Sequence, residues 1–213
     1  MFSKLLSELR EKIYRFAIPH SEWRSEDVEN PMPYFAECIG DPSGFYFPLS
    51  GVPLLRINKQ IRQEALPLAY RKTLFSFGDI DDLIKLLIAI GNIGRDNIES
   101  LGFAWQSRID LECQGAEALI ATEPMLSLPA LHVEKCVILL KQCKNLKFLS
   151  LSFNSDVIRH MSPDAYKMDT GICDLRSIQV LERVEIYDLF QEPLMQCEFI
   201  RWLKEAMERS TGI

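Results

Sequence analysis

The residues able to do chemistry are few and scattered. Histidine occurs three times, at His20, His132 and His160. His160 follows Asp156 by four positions, which sets a carboxylate and an imidazole on one helical face, half of a general-base arrangement. No serine or cysteine stands at a spacing that would supply the nucleophile. His132 opens an amphipathic stretch beside Glu134 and Lys135, where a surface or capping role is expected. The six cysteines, Cys38, Cys113, Cys136, Cys143, Cys173 and Cys197, form no C-x-x-C pair and so give no zinc-ligand spacing. Cys136 and Cys143 fall on apolar faces, where a thiol is buried and inert. A Gly-rich phosphate loop, G-x-S-x-G and H-E-x-x-H are all missing. The reading from chemistry is therefore a non-enzyme, with a hydrolase-type enzyme as the lesser alternative, and with no catalytic, cofactor-binding or metal-ligating residue and no cofactor.

Charge points the same way. The net charge is -6, so the bulk field repels phosphate backbones and nucleic-acid binding is disfavoured. The best local basic cluster is Arg56, Lys59, Arg62, Arg71 and Lys72. A solvated helix face is its default reading, and a nuclear or chromatin-associated binding patch is the alternative. With 213 residues, 47% hydrophobic and 25% charged, the composition is that of an ordinary folded protein with a sizeable core. No apolar run approaches the roughly 20 residues that cross a bilayer, and Lys85 interrupts the longest, Ile84 to Ile90. Glu8, Arg10, Glu11 and Lys12 spoil a signal-peptide core. The expectation is an intracellular protein, cytoplasmic or nuclear, away from membranes, with its oligomeric state open.

The elements follow from periodicity. Leu5, Leu6, Leu9, Ile13 and Phe16 make an apolar helical stripe over Ser3 to Ala17, with Pro19 marking the end. Residues 20–52 are rich in proline, glycine and aromatics, and predict an ordered insertion in which Phe45, Tyr46 and Phe47 form a short strand. Leu54, Ile57, Ile61, Ala65 and Leu68 share one face of a helix beginning at Pro53, with a kink or break expected at Pro67. Strands are predicted at Thr73 to Phe77, Ser100 to Trp105, Leu146 to Phe153 and Arg183 to Tyr187. Helices are predicted at Ile80 to Ile90, capped by Asp79 and stopped by Gly91, at His132 to Cys143, at Asp156 to Met161 and at Pro193 to Arg209. Residues 106–129 and 162–173 read as irregular, with a brief helix around Leu175 and Ile178. Alternating strands and helices predict a mostly parallel sheet with crossover helices.

Three pieces repeat. Leu139 to Leu151 and Ile178 to Ile186 each run from a helix end through a tight turn into a strand, and Ile98 to Phe103 is a weaker copy. They resemble a leucine-rich-repeat unit, in which a Cys-x-Asn-Leu turn feeds a Leu-x-Leu strand. The intervals of about 47 and 36 residues are longer than the roughly 20–29 of ordinary leucine-rich repeats, so the expectation is an irregular, leucine-rich-repeat-like sheet.

Two further segments carry a resemblance to a family. Phe2-Ser3-Lys4-Leu5-Leu6-Ser7-Glu8-Leu9-Arg10-Glu11-Lys12-Ile13-Tyr14 resembles the opening Leu-Pro-x-Glu-Leu-Arg-x-x-Ile-Tyr of the fungal F-box-like proteins. Leu54 to Tyr70 resembles their second block, Leu-Leu-x-Val-x-Arg-Gln-Ile-x-x-Glu-Ala-x-x-x-x-Tyr, and Thr73 to Phe77 stands where that family has a Phe-x-Phe strand. Here Leu6 replaces the usual proline, and residues 20–52 lengthen the spacer. The resemblance implies an α/β chain: F-box-like helices over 1–72, with the insertion at 20–52, packed on a repeat-like sheet over 73–213 in one continuous core. It also implies a protein-interaction module, an adaptor that recruits substrates to a cullin-type ubiquitin ligase by docking on its scaffold subunit. The candidate partner-binding residues are Leu5, Leu9, Ile13, Leu54 and Leu55 on the helices, and Trp23, Phe45 and Tyr46 in the insertion.

Overall fold

A computed structural model describes residues 5–24, 53–107, 128–178, 182–189 and 198–208. Its frame is a parallel sheet of five strands that lie side by side in chain order. They are β1 (Ser21–Arg24), β2 (Thr73–Phe77), β3 (Ser100–Ala104), β4 (Phe148–Phe153) and β5 (Arg183–Asp188). Every crossover between neighbours steps in the same direction, and right-handed crossovers then put the connecting helices on one face.

That face is read in the register. Phe75, Leu101, Leu149 and Val184 stand opposite one another across β2 to β5, and each is 0% exposed. Phe77, Phe103, Leu151 and Ile186 form the next buried row. The helices over these rows are α1 (Ser7–Ala17), α2 (Lys59–Lys72), α3 (Ile80–Ala89), α4 (Gly91–Arg95), α5 (Val133–Lys141), α6 (Ser155–His160), α7 (Pro163–Met168), α8 (Thr170–Arg176) and α9 (Glu198–Met207). α3 packs on β2, β3 and α5, α5 on α8, and α9 on β5, α7 and α8. Phe153, Tyr166, Phe199 and Trp202 close the β5 end of the core, with Phe153 and Tyr166 meeting Phe199 edge-on at 5.3 and 5.0 Å.

The three turn-and-strand pieces stack in register. The backbone amides of Lys147 and Phe148 donate to the Glu99 carbonyl, and those of Glu182 and Arg183 donate to the Lys147 carbonyl. Asn145 Nδ2 donates to the Asp96 carbonyl at 2.6 Å, binding one turn to the turn before it. Each turn thus satisfies backbone groups of its neighbour at the edge where the strands begin.

Several elements differ from what the sequence predicts. The helix expected from Pro53 is a single 3-10 turn, Pro53–Arg56, followed by α2. The break falls before Lys59 because the Asn58 side chain caps α2 by accepting from the Ile61 amide at 2.9 Å. Pro67 then sits inside an unbroken helix. Proline leaves the carbonyl of residue 63 without its helical donor, and Gln63 is exposed, where water is at hand. Residues 162–173 are not irregular: Ser162 caps α7 and Asp169 caps α8 through their side chains. β1 lies within the stretch read as an insertion, and Gly91, at φ +59°, separates α3 from the additional turn α4.

Cys136 and Cys143 are buried, and burial pushes both thiols up to about 12. Cys173 is exposed. Brief alkylation of the native protein is therefore expected to label Cys173 and spare Cys136 and Cys143 until denaturant is added. Peptide mass spectrometry reads the outcome, and native labelling of Cys136 would contradict the buried placement.

Candidate functional site

α1 is turned the unusual way round. Its polar side faces the protein and its apolar stripe faces water. Arg10 forks onto Glu64 of α2, with Nε to Oε2 at 2.8 Å and Nη2 to Oε1 at 2.9 Å. Tyr14, itself buried, donates its hydroxyl to Glu64 Oε2 at 2.8 Å, and Gln60 Nε2 donates to Oε1 at 3.1 Å. At the other end of α1, Lys72 Nζ donates to the carbonyls of Arg15 and Ile18, the latter at 2.6 Å. A cation there suits the negative end of the helix dipole. Charge-assisted, bidentate bonds of this kind fix orientation as well as distance.

With that side occupied, Leu5, Leu6, Leu9, Ile13 and Phe16 lie on the outside, Leu9 45%, Ile13 41% and Phe16 92% exposed. Steps of four and three align Leu9, Ile13 and Phe16 along one line of the helix, and Leu5 lies just before its first turn. A contiguous apolar line on a helix surface costs solvation unless another surface covers it. Of the helical candidates, Leu5, Leu9 and Ile13 are thus at the surface, Leu54 is half-buried, and Leu55 is buried at 3% exposure. Trp23 lies on β1, its Cα in register with Phe75. Phe45 and Tyr46 lie outside the described residues.

Glu64 reports on the latch. The hydrogen bond from Arg10, with those from Gln60 and Tyr14, holds its carboxyl down at about 2, against an ordinary 4.5. A carboxylate whose folded pKa is depressed contributes stability that is complete above its unfolded pKa and is lost as pH falls through the folded one. The urea midpoint is therefore expected to fall between pH 4.5 and 2 in the wild type more than in Glu64→Gln. Parallel pH profiles for the two proteins would contradict the latch.

The second surface is the sheet face opposite the helices. The same register that builds the buried rows puts Ser76, Gly102, Ser150 and Glu185 in one line on this side, with Ala104, Ser152 and Tyr187 in the next. Leu74 and Phe148 border them towards the strand starts. Together they line a cavity of about 360 Å³.

A third cluster sits where the strands end. Buried Asp81, in the first turn of α3, accepts from Ser107 Oγ at 3.0 Å and lies 3.0 Å from His132 Nδ1. His132 precedes α5 in a left-handed conformation, φ 63°. Serine, aspartate and histidine meet here, but the serine bonds the carboxylate rather than the imidazole. A nucleophile needs its proton taken by the base, so His132 is not placed to activate Ser107, and the bonds to Asp81 tie α3, the segment after β3 and the start of α5 together. No local pattern marks it, because Ser107 and His132 stand 26 and 51 residues from Asp81. The side chain of His160 lies outside the described residues. Among the described residues no group of His, Cys, Asp or Glu could hold a metal, and no helix is long and apolar enough to cross a membrane.

Compared with known proteins, the chain matches no family model, no curated protein and no solved structure. Its functional reading rests on the geometry of these surfaces.

Proposed function

We propose that the chain is a non-catalytic protein-interaction module that docks on the scaffold subunit of a cullin-type ubiquitin ligase through the apolar line of α1. The parallel sheet then presents a second surface for recruited protein. The observation that carries this reading is the outward line of Leu9, Ile13 and Phe16 on a helix whose polar side is latched to the core, with exposed Leu5 just before it.

The residues of the F-box-like resemblance support it. Arg10 and Tyr14 come from its first stretch and Glu64 from its second, and they bond one another. Leu9 and Ile13, also of the first stretch, are left facing out. Leu6 stands where the family has proline, and its φ of -59° is the value proline imposes, so the turn into α1 keeps the proline-compatible shape. The in-register turn-and-strand pieces favour the leucine-rich-repeat-like reading of the sheet.

The basic-patch alternative has less to rest on. Arg71 is engaged with Asn97 Oδ1 at 2.8 Å, and Lys72 with the end of α1. Two of its cations are thereby committed within the chain.

The test is co-purification of tagged wild type and a Leu5→Asp/Leu9→Asp variant, each with recombinant scaffold subunit and cullin. Retention of both by the wild type and neither by the folded variant supports the adaptor. No retention by either, at micromolar concentration, ends it.

A further inference from the structure

We infer that the cavity on the open sheet face is an arginine pocket: it takes the guanidinium side chain of an extended segment of the recruited protein. The inference rests on the interaction-module reading and names what its second surface binds.

The floor argues for an occupant. Ser76, Gly102 and Ser150 face the cavity from three adjacent strands. Glycine within a strand weakens it and leaves room for a close approach by another chain. Here the fold does not demand it. A Cβ on Gly102 would have Ser150 Cβ at 3.4 Å, Ser76 Oγ at 3.5 Å and the Ser150 carbonyl oxygen at 3.8 Å as its nearest neighbours, ordinary contact distances, and its φ is not left-handed. The space is permitted by the packing rather than forced by it.

The wall argues for the chemistry. Glu185 closes the row of small residues at β5, with its side chain 23% exposed. Tyr187 donates its hydroxyl to Glu185 Oε2 at 2.6 Å, which fixes the carboxylate in place. Arg183, at the rim, pairs with Glu185 while its guanidinium lies 5.8 Å from the centre of the Phe148 ring. The protein's own arginine thus shows the two contacts a guanidinium finds here, a carboxylate and an aromatic face. The carboxylate has further lone pairs, and the serine hydroxyls add acceptors for a five-donor fork. Among the described residues no lysine or arginine lines the cavity itself, Arg183 pairing with Glu185 from its rim, and the chain carries -6 overall, so a cationic guest is favoured on approach. At about 360 Å³ the space lies at the low end of ligand sites, room for one long side chain rather than a cofactor.

The experiment is a titration of the isotope-labelled full chain with N-acetyl-arginine methylamide, followed by amide shifts, beside its uncharged citrulline analogue. The expected result is saturable shifts centred on Ser76, Gly102, Ser150 and Glu185, with a dissociation constant of about 1–10 mM. Citrulline should bind about tenfold more weakly. Gly102→Leu should abolish the shifts and Gly102→Ala reduce them, both melting as wild type does. Glu185→Gln should make arginine and citrulline equal. Equal binding of the two probes to wild type, shifts elsewhere on the surface, undiminished binding by folded Gly102→Leu, or no saturable shift at about 20 mM overturns the pocket. Leu9→Asp should leave arginine binding intact. A wild type that shows the arginine shifts but does not dock on the scaffold therefore sinks the adaptor reading alone, and a wild type that docks but shows no arginine shifts sinks the pocket alone.

Discussion

Aspartate at both Leu9 and Ile13 is expected to weaken binding to the ligase scaffold subunit at least about 100-fold, with a melting temperature within about 2 °C of wild type. Burying a Leu or Ile side chain at an interface is worth about 1.5–3 kcal/mol, and each 1.4 kcal/mol is tenfold in affinity. Two such side chains lost, and replaced by charges that must be desolvated, give about 10²–10⁴-fold. Stability should hold because both residues are already 41–45% in water, and surface changes stay within about 0.5 kcal/mol. Calorimetric titration and thermal melts check the pair of claims. A collapse of the melting temperature would mean that this line packs against the protein's own core.

Leu55→Ala is expected to do the reverse. Leu55 was a docking candidate on the same footing as Leu9, yet it is 3% exposed and part of the core. Truncating a buried leucine costs about 2–5 kcal/mol, because the cavity it leaves does not close completely. For a chain of this size that is a drop of roughly 5–15 °C in melting temperature. The residual folded protein should still bind the scaffold with wild-type affinity. A stable Leu55→Ala protein that has lost binding would place Leu55 at the interface instead.

These two residues show what was legible in the sequence and what was not. Spacing identifies a stripe on a helix, but not whether the core or a partner covers it. The direction of α1 is set by Glu64, 54 residues from Arg10, and by Lys72, contacts that no local pattern displays. β2 and β4 were legible because each alternates buried and half-buried positions along its length. β1, Ser-Glu-Trp-Arg, was not, since a short polar edge strand has little alternation to read. α7 and α8 were lost for the opposite reason. Their caps, Ser162 and Asp169, are ordinary signals, but helices of 6 and 7 residues are too short to show a stripe. Pro67 misled because proline's cost depends on whether the freed carbonyl finds water, which only the placement of Gln63 decides. The serines and Gly102 of the open face carry no signal one at a time. Register alone brings them into one row with Glu185.

The measurement that bears most directly on the central claim is hydrogen exchange of the full chain, alone and saturated with purified scaffold subunit. The account predicts slowed exchange confined to residues 5–17, with Leu9 and Ile13 at its centre and the sheet unchanged. No binding, or protection that falls on the sheet and leaves α1 as it was, would contradict it.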